Sequence, residues 1–319
     1  MGYSIDHRIN ESLSFTSLLM ELNYSSKLIP AVVLLILGAL EALGRLYFND
    51  KRTKNDFTIE LLSLTILPTI IQPGIFFLVI TLMFLVITLM ETFLPSFQNH
   101  FITLFFGWHL GAFLLFDDLT QYGWHRFSHS NRTLWKLHRP HHIIEEMGVL
   151  VTYRNALLYY ALMPGIWLSA ILVYLGMGEV YLFYLPLKLV VIWLAHSETR
   201  WDRFMYKYKF LRPIAWVIER TISTPRTHFA HHGLTAKDGI SHPNGNFGNL
   251  LFIWDVIFGT TKITKKYPQQ FGDCNQLKET WYVQLLFQLM RSKDPMSELH
   301  SIKTKNDYDP SIDYQKFNK

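Results

Sequence analysis

Three short stretches of the chain crowd histidine at spacings a metal ion can use. HRFSH places His125 and His129 four residues apart, HRPHH supplies His138, His141 and His142, and HFAHH supplies His228, His231 and His232. Five of the 14 histidines fall in the 18 residues from 125 to 142, where an even spread would put fewer than one. Separations of three and four residues bring side chains to one face of a helix, a turn apart. Two imidazoles at i and i+4 can share a metal, as in the HExxH zinc sites. Uncoordinated imidazoles gathered this way would repel one another when protonated, so the eight read as ligands. His7, His100, His109 and His300 stand singly and read as surface or hydrogen-bonded residues.

Eight ligands exceed the four of a structural zinc and suit two metals with open positions. Imidazole accepts zinc, copper, iron and nickel, so ligand type does not choose among them. A site beside a membrane points to a lipid substrate. Lipid C–H bonds call for oxygen chemistry, which non-haem iron supplies. Soluble di-iron bundles use Glu and Glu-x-x-His ligands; that pattern is missing here, so a di-iron site would be built from histidine. His196, at the end of an apolar run, is a ninth ligand candidate, since an ionisable group at a membrane boundary is a functional suspect. His242 has no spacing partner.

The elements that must position these boxes are helical. Thr224 as N-cap, Pro225 at the first helical position and Gly233 as stop predict a helix of little more than two turns around HFAHH. Pro140 has no amide hydrogen, which predicts that HRPHH lies near a helix start. Half of the 319 residues are apolar and 17% are charged, against about 25% charged in soluble proteins. With a mean hydropathy of +0.13, this predicts an all-α integral membrane protein. The bundle would carry a cytosol-facing helical cap with a dinuclear, histidine-rich metal site.

A span needs about 20 apolar residues. Candidates lie at 28–48, at about 74–94 after Pro68 and the Pro73-Gly74 break, and at about 101–121. The apolar block at about 157–196 is 40 residues, long enough for two crossings, with GMGE at 176–179 where a turn is needed. Two crossings return the chain to the side it left, so the histidine segments before and after share one face. Both segments are rich in Lys and Arg, as is the loop NDKRTKND, whereas PSFQNH has neither. The positive-inside rule places the histidine face in the cytosol and favours one span over two in 57–94. The regions expected are 1–124, an N-terminal transmembrane region; 125–272, the catalytic region with its hairpin; and 273–319, a polar tail with one amphipathic piece, WYVQLLFQLM.

The net charge of +5 fits a basic face on anionic lipid; no nucleic-acid fingerprint is present. A single cysteine, Cys274, excludes an internal disulfide and a Cys-based zinc site. The mixed charge of the N-terminus does not read as a signal peptide.

These motifs resemble those of the fatty acid hydroxylase superfamily, the sterol desaturase-like membrane oxygenases. The resemblance runs from about Asp117 to Gly272. It rests on DLTQYGWHRFSH, LWKLHRPHH, HFAHH and the closing NFGNLLFIWDVIFGT. HSE at 196–198, the TP before the last box and the TxR of VTYRN are most similar to the alkylglycerol monooxygenase and bacterial sterol desaturase-like branch. Two positions depart from the pattern. Gly123 stands where an aromatic often precedes Trp124, and Asn155 follows Arg154 where many members have histidine. Both departures bear on the substrate rather than on the metals.

The resemblance implies two irons, O2 as oxidant, electrons from a separate protein and a lipid arriving from the bilayer. Asp118, Glu198 and Asp255 are candidates to support the ligands, since metal-bound histidine usually donates its other N–H to a carboxylate or carbonyl. Asn246 could orient a ligand or a bound water. Trp124, Trp135, Trp193, Trp201 and Trp254 read as interface or core residues. Gly248 and Gly259 belong to no GxGxxG, so no dinucleotide site is expected.

The sequence therefore reads as an O2-dependent lipid oxygenase of the bacterial inner membrane or endoplasmic reticulum. Its substrate would be a sterol, fatty acyl or ether lipid, and its reaction hydroxylation or desaturation. A zinc-dependent membrane hydrolase and a non-enzymatic metal-binding protein are the rival readings.

Overall fold

The computed structural model describes residues 36, 38, 39, 41, 70, 72–272, 279–295 and 297–300. Most of the candidate span at 28–48, the basic loop at 49–56, the span-count question over 57–69 and Cys274 lie outside the described residues. The described residues form helices and no named strand; pairing is limited to isolated bridges such as Ile222 with Leu251.

Helix α1, Gln72–Phe93, is apolar on every side and about 33 Å long at 1.5 Å per residue. Its threonines fold their hydroxyls back onto carbonyls four residues earlier, Thr81 on Phe77, Thr88 on Phe84 and Thr92 on Thr88. That hides the only polar groups of the middle turns. Phe77 and Phe84 are 73% and 62% exposed, an arrangement suited to lipid and unfavourable in water.

The next rod runs without a break through α2 (Phe106–Phe113), a π-turn (Leu114–Asp118) and α3 (Leu119–Ser130). The span expected to end near 121 continues as helix to Ser130 and carries His125 and His129 on its last turns. Asn131 then breaks the rod with an extended backbone. Its side chain accepts from the amides of Thr133 and Leu134, capping α4, Arg132–His142.

The expectation that HRPHH begins a helix is corrected here. Pro140 lies in the last turn of α4. Pro140 cannot donate to the carbonyl of Lys136, but the helix stops two residues later, so any kink there displaces less than one further turn.

Short α5 (Leu157–Ala161) leads into α6 (Pro164–Leu172), a π-turn (Val173–Met177) and α7 (Gly178–His196). Gly176 sits in this turn with φ 103°, a conformation that favours glycine. The chain reverses there. Gly165 precedes Gly176 by 11 residues and Lys188 follows it by 12, yet both meet Asp117. In one straight helix they would stand about 35 Å apart.

Successive passes alternate in direction, so α1 and α6 run one way and the α2–α3 rod and α7 the other. At one end Tyr174 Oη donates to Leu94 O, and the amides of Asn99 and Phe101 donate to Tyr174 O and Leu175 O. At the other end Ile75 packs with Val149, Tyr153 and Trp193. All three histidine boxes lie at this second end.

The polar region there is built from α8 (Arg203–Lys207), α9 (Arg212–Thr221), α10 (Pro225–His231) and α11 (Ile253–Phe258). Thr224 caps α10 in a reciprocal box with Thr227. Helix α12, Trp281–Leu285, starts the amphipathic piece expected in the tail. Val283, Phe287 and Leu299 pack on Leu134 and Leu137 of α4, so this segment covers the back of a ligand-bearing helix.

Candidate metal centre

The nine candidate histidines converge in two groups. His125, His129, His138, His142 and His231 form one, and His141, His196, His228 and His232 the other; within each group the ligand nitrogens lie within 4.8 Å of one another. Ligands about 2.1 Å from a metal stand up to about 4.2 Å apart across it, so each group is near the size of a coordination shell. No carboxylate belongs to either group.

The groups do not follow the sequence boxes. Each HH pair is divided: His142 and His231 face the first group, His141 and His232 the second. Successive helical residues project about 100° apart, so two adjacent histidines must address two different points. The pairs also bring the groups side by side. The rings of His142 and His232 stack with centroids 4.4 Å apart, and those of His231 and His232 stand 5.2 Å apart. α7 delivers His196 to the second group, 2.8 Å from His228 and 3.3 Å from His141 between Nε2 atoms.

Outward nitrogens are anchored so that inward ones keep a lone pair. The Nδ1 of His125 donates to Phe247 O at 2.7 Å, that of His141 to Val151 O at 2.9 Å, that of His196 to Ile192 O at 2.8 Å and that of His231 to Gly245 O at 2.8 Å. His138 Nδ1 instead meets a side chain, Asn155 Oδ1, at 2.6 Å. An Nδ1–H held by a carbonyl fixes the tautomer with a free Nε2. The Nε2 atoms of His125 and His231, and both ring nitrogens of His129, are buried without a protein partner. Buried acceptors rarely stay unpaired; a metal would satisfy them.

Burial is the main cause that holds these imidazoles neutral. It lowers His125 to about 4. Burial first, then the neighbouring histidines, push His129, His138, His141, His142, His228, His231 and His232 well below the ordinary 6.5. Neutral imidazole is the form that binds metal, so these sites need lose no proton to do so at neutral pH.

The expected role of Asp118, Asp255 and Asn246 is corrected here: the anchored Nδ1 atoms are held by carbonyls and Asn155, and these three residues bind the backbone and side chains around the histidine-bearing segments instead. Asp118 accepts from Leu251 N at 3.2 Å and Trp254 Nε1 at 2.8 Å. Asp255 accepts from the amides of Phe247 and Gly248 and from Thr260, and Phe247 O is the acceptor for His125. Asn246 donates to Thr227 O and Lys262 O and accepts from Lys262 N, which ties α10 to the strip that follows α11. The backbone amide of Glu198 donates to Glu41 Oε1 at 2.9 Å. His242 belongs to neither group.

Two contributors escape the sequence reading. Lys188 pairs with Asp117 at 2.6 Å, with both side chains buried. Its signal is a lone cation inside an apolar crossing. Asn155 stands out in the sequence only as a departure from the family pattern. It accepts from His138 and donates to Tyr160 Oη, which donates to Thr152 O.

The helical scaffold and the divided histidine pairs make a candidate metal centre beside apolar helices, and the comparisons show what the chain is similar to. The fatty acid hydroxylase family model matches residues 110–260, the superfamily that the motifs resemble, and the matched relatives include the branch. Ornithine lipid hydroxylase OlsE of Rhizobium tropici is 27% identical over 147 residues, which is 46% of this chain and 40% of that protein. Alkylglycerol monooxygenase of Homo sapiens is 27% identical over 143 residues, 45% of this chain and 28% of that protein. The Xenopus tropicalis alkylglycerol monooxygenase is 25% identical over 148 residues, with the same shares. The matches span less than half the length of these relatives. No solved structure matches.

Proposed function

We propose that this chain is an O2-dependent lipid oxygenase that hydroxylates or desaturates its substrate at a histidine-ligated di-iron centre. The observation that carries the reading is the division of nine buried histidines into two adjoining groups of five and four. Two irons held there would supply the oxidation of an unactivated C–H bond, with O2 as co-substrate and electrons from a separate donor protein. A single zinc, structural with four ligands or catalytic with three, would use fewer than the nine gathered here. The matched relatives, a lipid hydroxylase and monooxygenases of an alkylglycerol, support a lipid that carries a polar head.

The chain's own residues do three things in this reading. The carbonyls and Asn155 hold the ligand rings in one tautomer. Trp135, with ring centroids 5.0 Å from His129 and 5.3 Å from His142, and Tyr159, stacked on His138 at 4.9 Å, exclude water from the first group. The bundle presents two segments apolar and long enough to cross a membrane, Pro73–Phe93 and Pro164–His196, the second reversing at Gly176. A lipid in the bilayer therefore lies one helix end away from the histidines. The basic residues of the histidine end, set against the Lys- and Arg-free stretch 95–105 at the other, favour a cytosolic site.

Metal analysis of detergent-purified protein tests this, beside a His141→Ala, His231→Ala double variant that removes one ligand from each group. About two irons per chain, lost in the variant, with O2 uptake on addition of lipid, is the expected result. Metal content unaffected by the variant, or lipid turnover without O2, overturns it.

A further inference from the structure

The exposed face of α8, α9 and α11 has no covering element among the described residues. Phe210 is 75% exposed, Trp216 57% and Ile257 61%, while Met205, Ala215 and Asp255 on the opposite sides are buried. In α9 the exposed residues include Ile214, Trp216 and Val217, and in α11 Val256, Ile257 and Phe258, while Glu219 and Asp255 turn inward. These two helices thus present an apolar face outward, unlike a surface helix in water, and α8 adds exposed Phe204 beside its cations. Residues 203–217 contain Arg203, Lys207, Lys209 and Arg212, all exposed, and no acidic residue. The nearest acids are engaged elsewhere: Asp202 is buried against Arg226 N and Tyr267, and Glu219 pairs with Arg220.

The height of this face on the bundle is fixed by contacts. Leu251 N and Trp254 Nε1 bind Asp118, and Phe258 stacks on Tyr122 with centroids 5.4 Å apart. Ile222, just past α9, and Leu250 pack in the cluster around Phe113. The face therefore lies level with residues 113–122, where the rod passes from its apolar part to its histidines. Leu115 and Phe116 are themselves half exposed at that level, so the patch is continuous with the flank of the bundle.

We infer that α8, α9 and α11 lie in the plane of the membrane as an interfacial anchor, with the occupant an anionic phospholipid headgroup layer. Aromatic side chains suit the headgroup boundary, and an apolar face flanked by Lys and Arg binds anionic lipid both by burial and by charge. A basic surface alone would equally fit an acidic protein. The interleaved Phe, Trp and Ile residues, with continuity to the bundle flank, favour the bilayer. The inference rests on the bundle being in the membrane, so the test includes a reporter for that placement.

The experiment uses the full chain with Cys274→Ser and one new cysteine at a time, Phe210→Cys, Ile257→Cys or Phe84→Cys, each carrying an environment-sensitive fluorophore. Samples are reconstituted in nanodiscs of phosphatidylcholine, with or without phosphatidylglycerol. Spin-labelled lipid and aqueous iodide serve as opposing quenchers. Labels at 210 and 257 are expected to be quenched by headgroup-proximal spin label, severalfold more with phosphatidylglycerol present. The Lys207→Gln, Lys209→Gln, Arg212→Gln variant is expected to lose that enhancement while the Phe84 label stays lipid-quenched. Labels at 210 and 257 that iodide reaches in both disc types, beside a lipid-quenched Phe84 label, overturn the anchor and leave the bundle placed. The same result with protection by an added acidic donor protein assigns the face to that protein instead. A Phe84 label that iodide reaches overturns the membrane placement and the anchor with it.

Discussion

His138 Nδ1 lies 2.6 Å from Asn155 Oδ1, so this grouped histidine is anchored by a side chain. His125, His141, His196 and His231 donate instead to backbone carbonyls, which substitution cannot remove. Asn155 is thus a handle on the five-histidine group alone. Loss of such a partner typically lowers metal affinity by about 10–100-fold. Asn155→Ala should weaken one of the two metals by that order and spare the other, read by chelator competition. Asn155→Asp should keep the bond and shift the spectrum of that metal only.

Because each HH pair is divided, pairs of substitutions should act by group and not by box. His142→Ala with His231→Ala should remove one metal and leave the four-histidine group loaded. His141→Ala with His232→Ala should do the converse. Metal-to-protein ratios near one for both variants, with distinct spectra, check the division; loss of both metals in either would argue for a single inseparable site.

The Lys188–Asp117 pair ties α7 to the π-turn below the histidines. Removing one member of a buried pair costs about 3–5 kcal/mol, while replacing both with apolar residues is often close to neutral. Lys188→Met should lower the Tm sharply, and Lys188→Met with Asp117→Leu should recover most of the loss, by thermal unfolding in detergent.

Gly176→Ala forces a left-handed backbone on an L-residue, at a cost of about 1–2 kcal/mol. A Cβ there would also stand 2.9 Å from Ile102 N. The variant should unfold at lower temperature with its metal content unchanged when folded, because the turn is at the end of the bundle away from the histidines.

Acid should destabilise the metal-free protein. The folded-state values of the grouped histidines outside the spans lie below the ordinary 6.5, His125 at about 4 and the others, such as His129 and His231, well below it. The unfolded chain therefore binds more protons across that window, and stability falls as pH drops from 6.5 towards 4. Each such histidine contributes about 1.4 kcal/mol per pH unit within it. Denaturant midpoints of chelator-treated protein should fall steeply over this range and be flat above it.

The donor set and much of the scaffold are legible in the order of residues. The i, i+3, i+4 spacings identify the ligands, Thr224 and Pro225 start α10, and the glycines of GMGE mark the reversal in the apolar block. These signals are local, because caps, turns and helical faces depend on residues a few positions apart. Pro140 misleads for the same reason: its chemistry forbids a helix interior but allows a last turn, and only the end of α4 distinguishes the two. How the histidines are shared comes from long-range packing. His125 is anchored by a carbonyl 122 positions away, and a backbone carbonyl has no residue identity to read. The pairing of Lys188 with Asp117, the role of Asn155 and the entry of His196 into the second group likewise depend on which helix ends meet, which packing of the whole bundle sets.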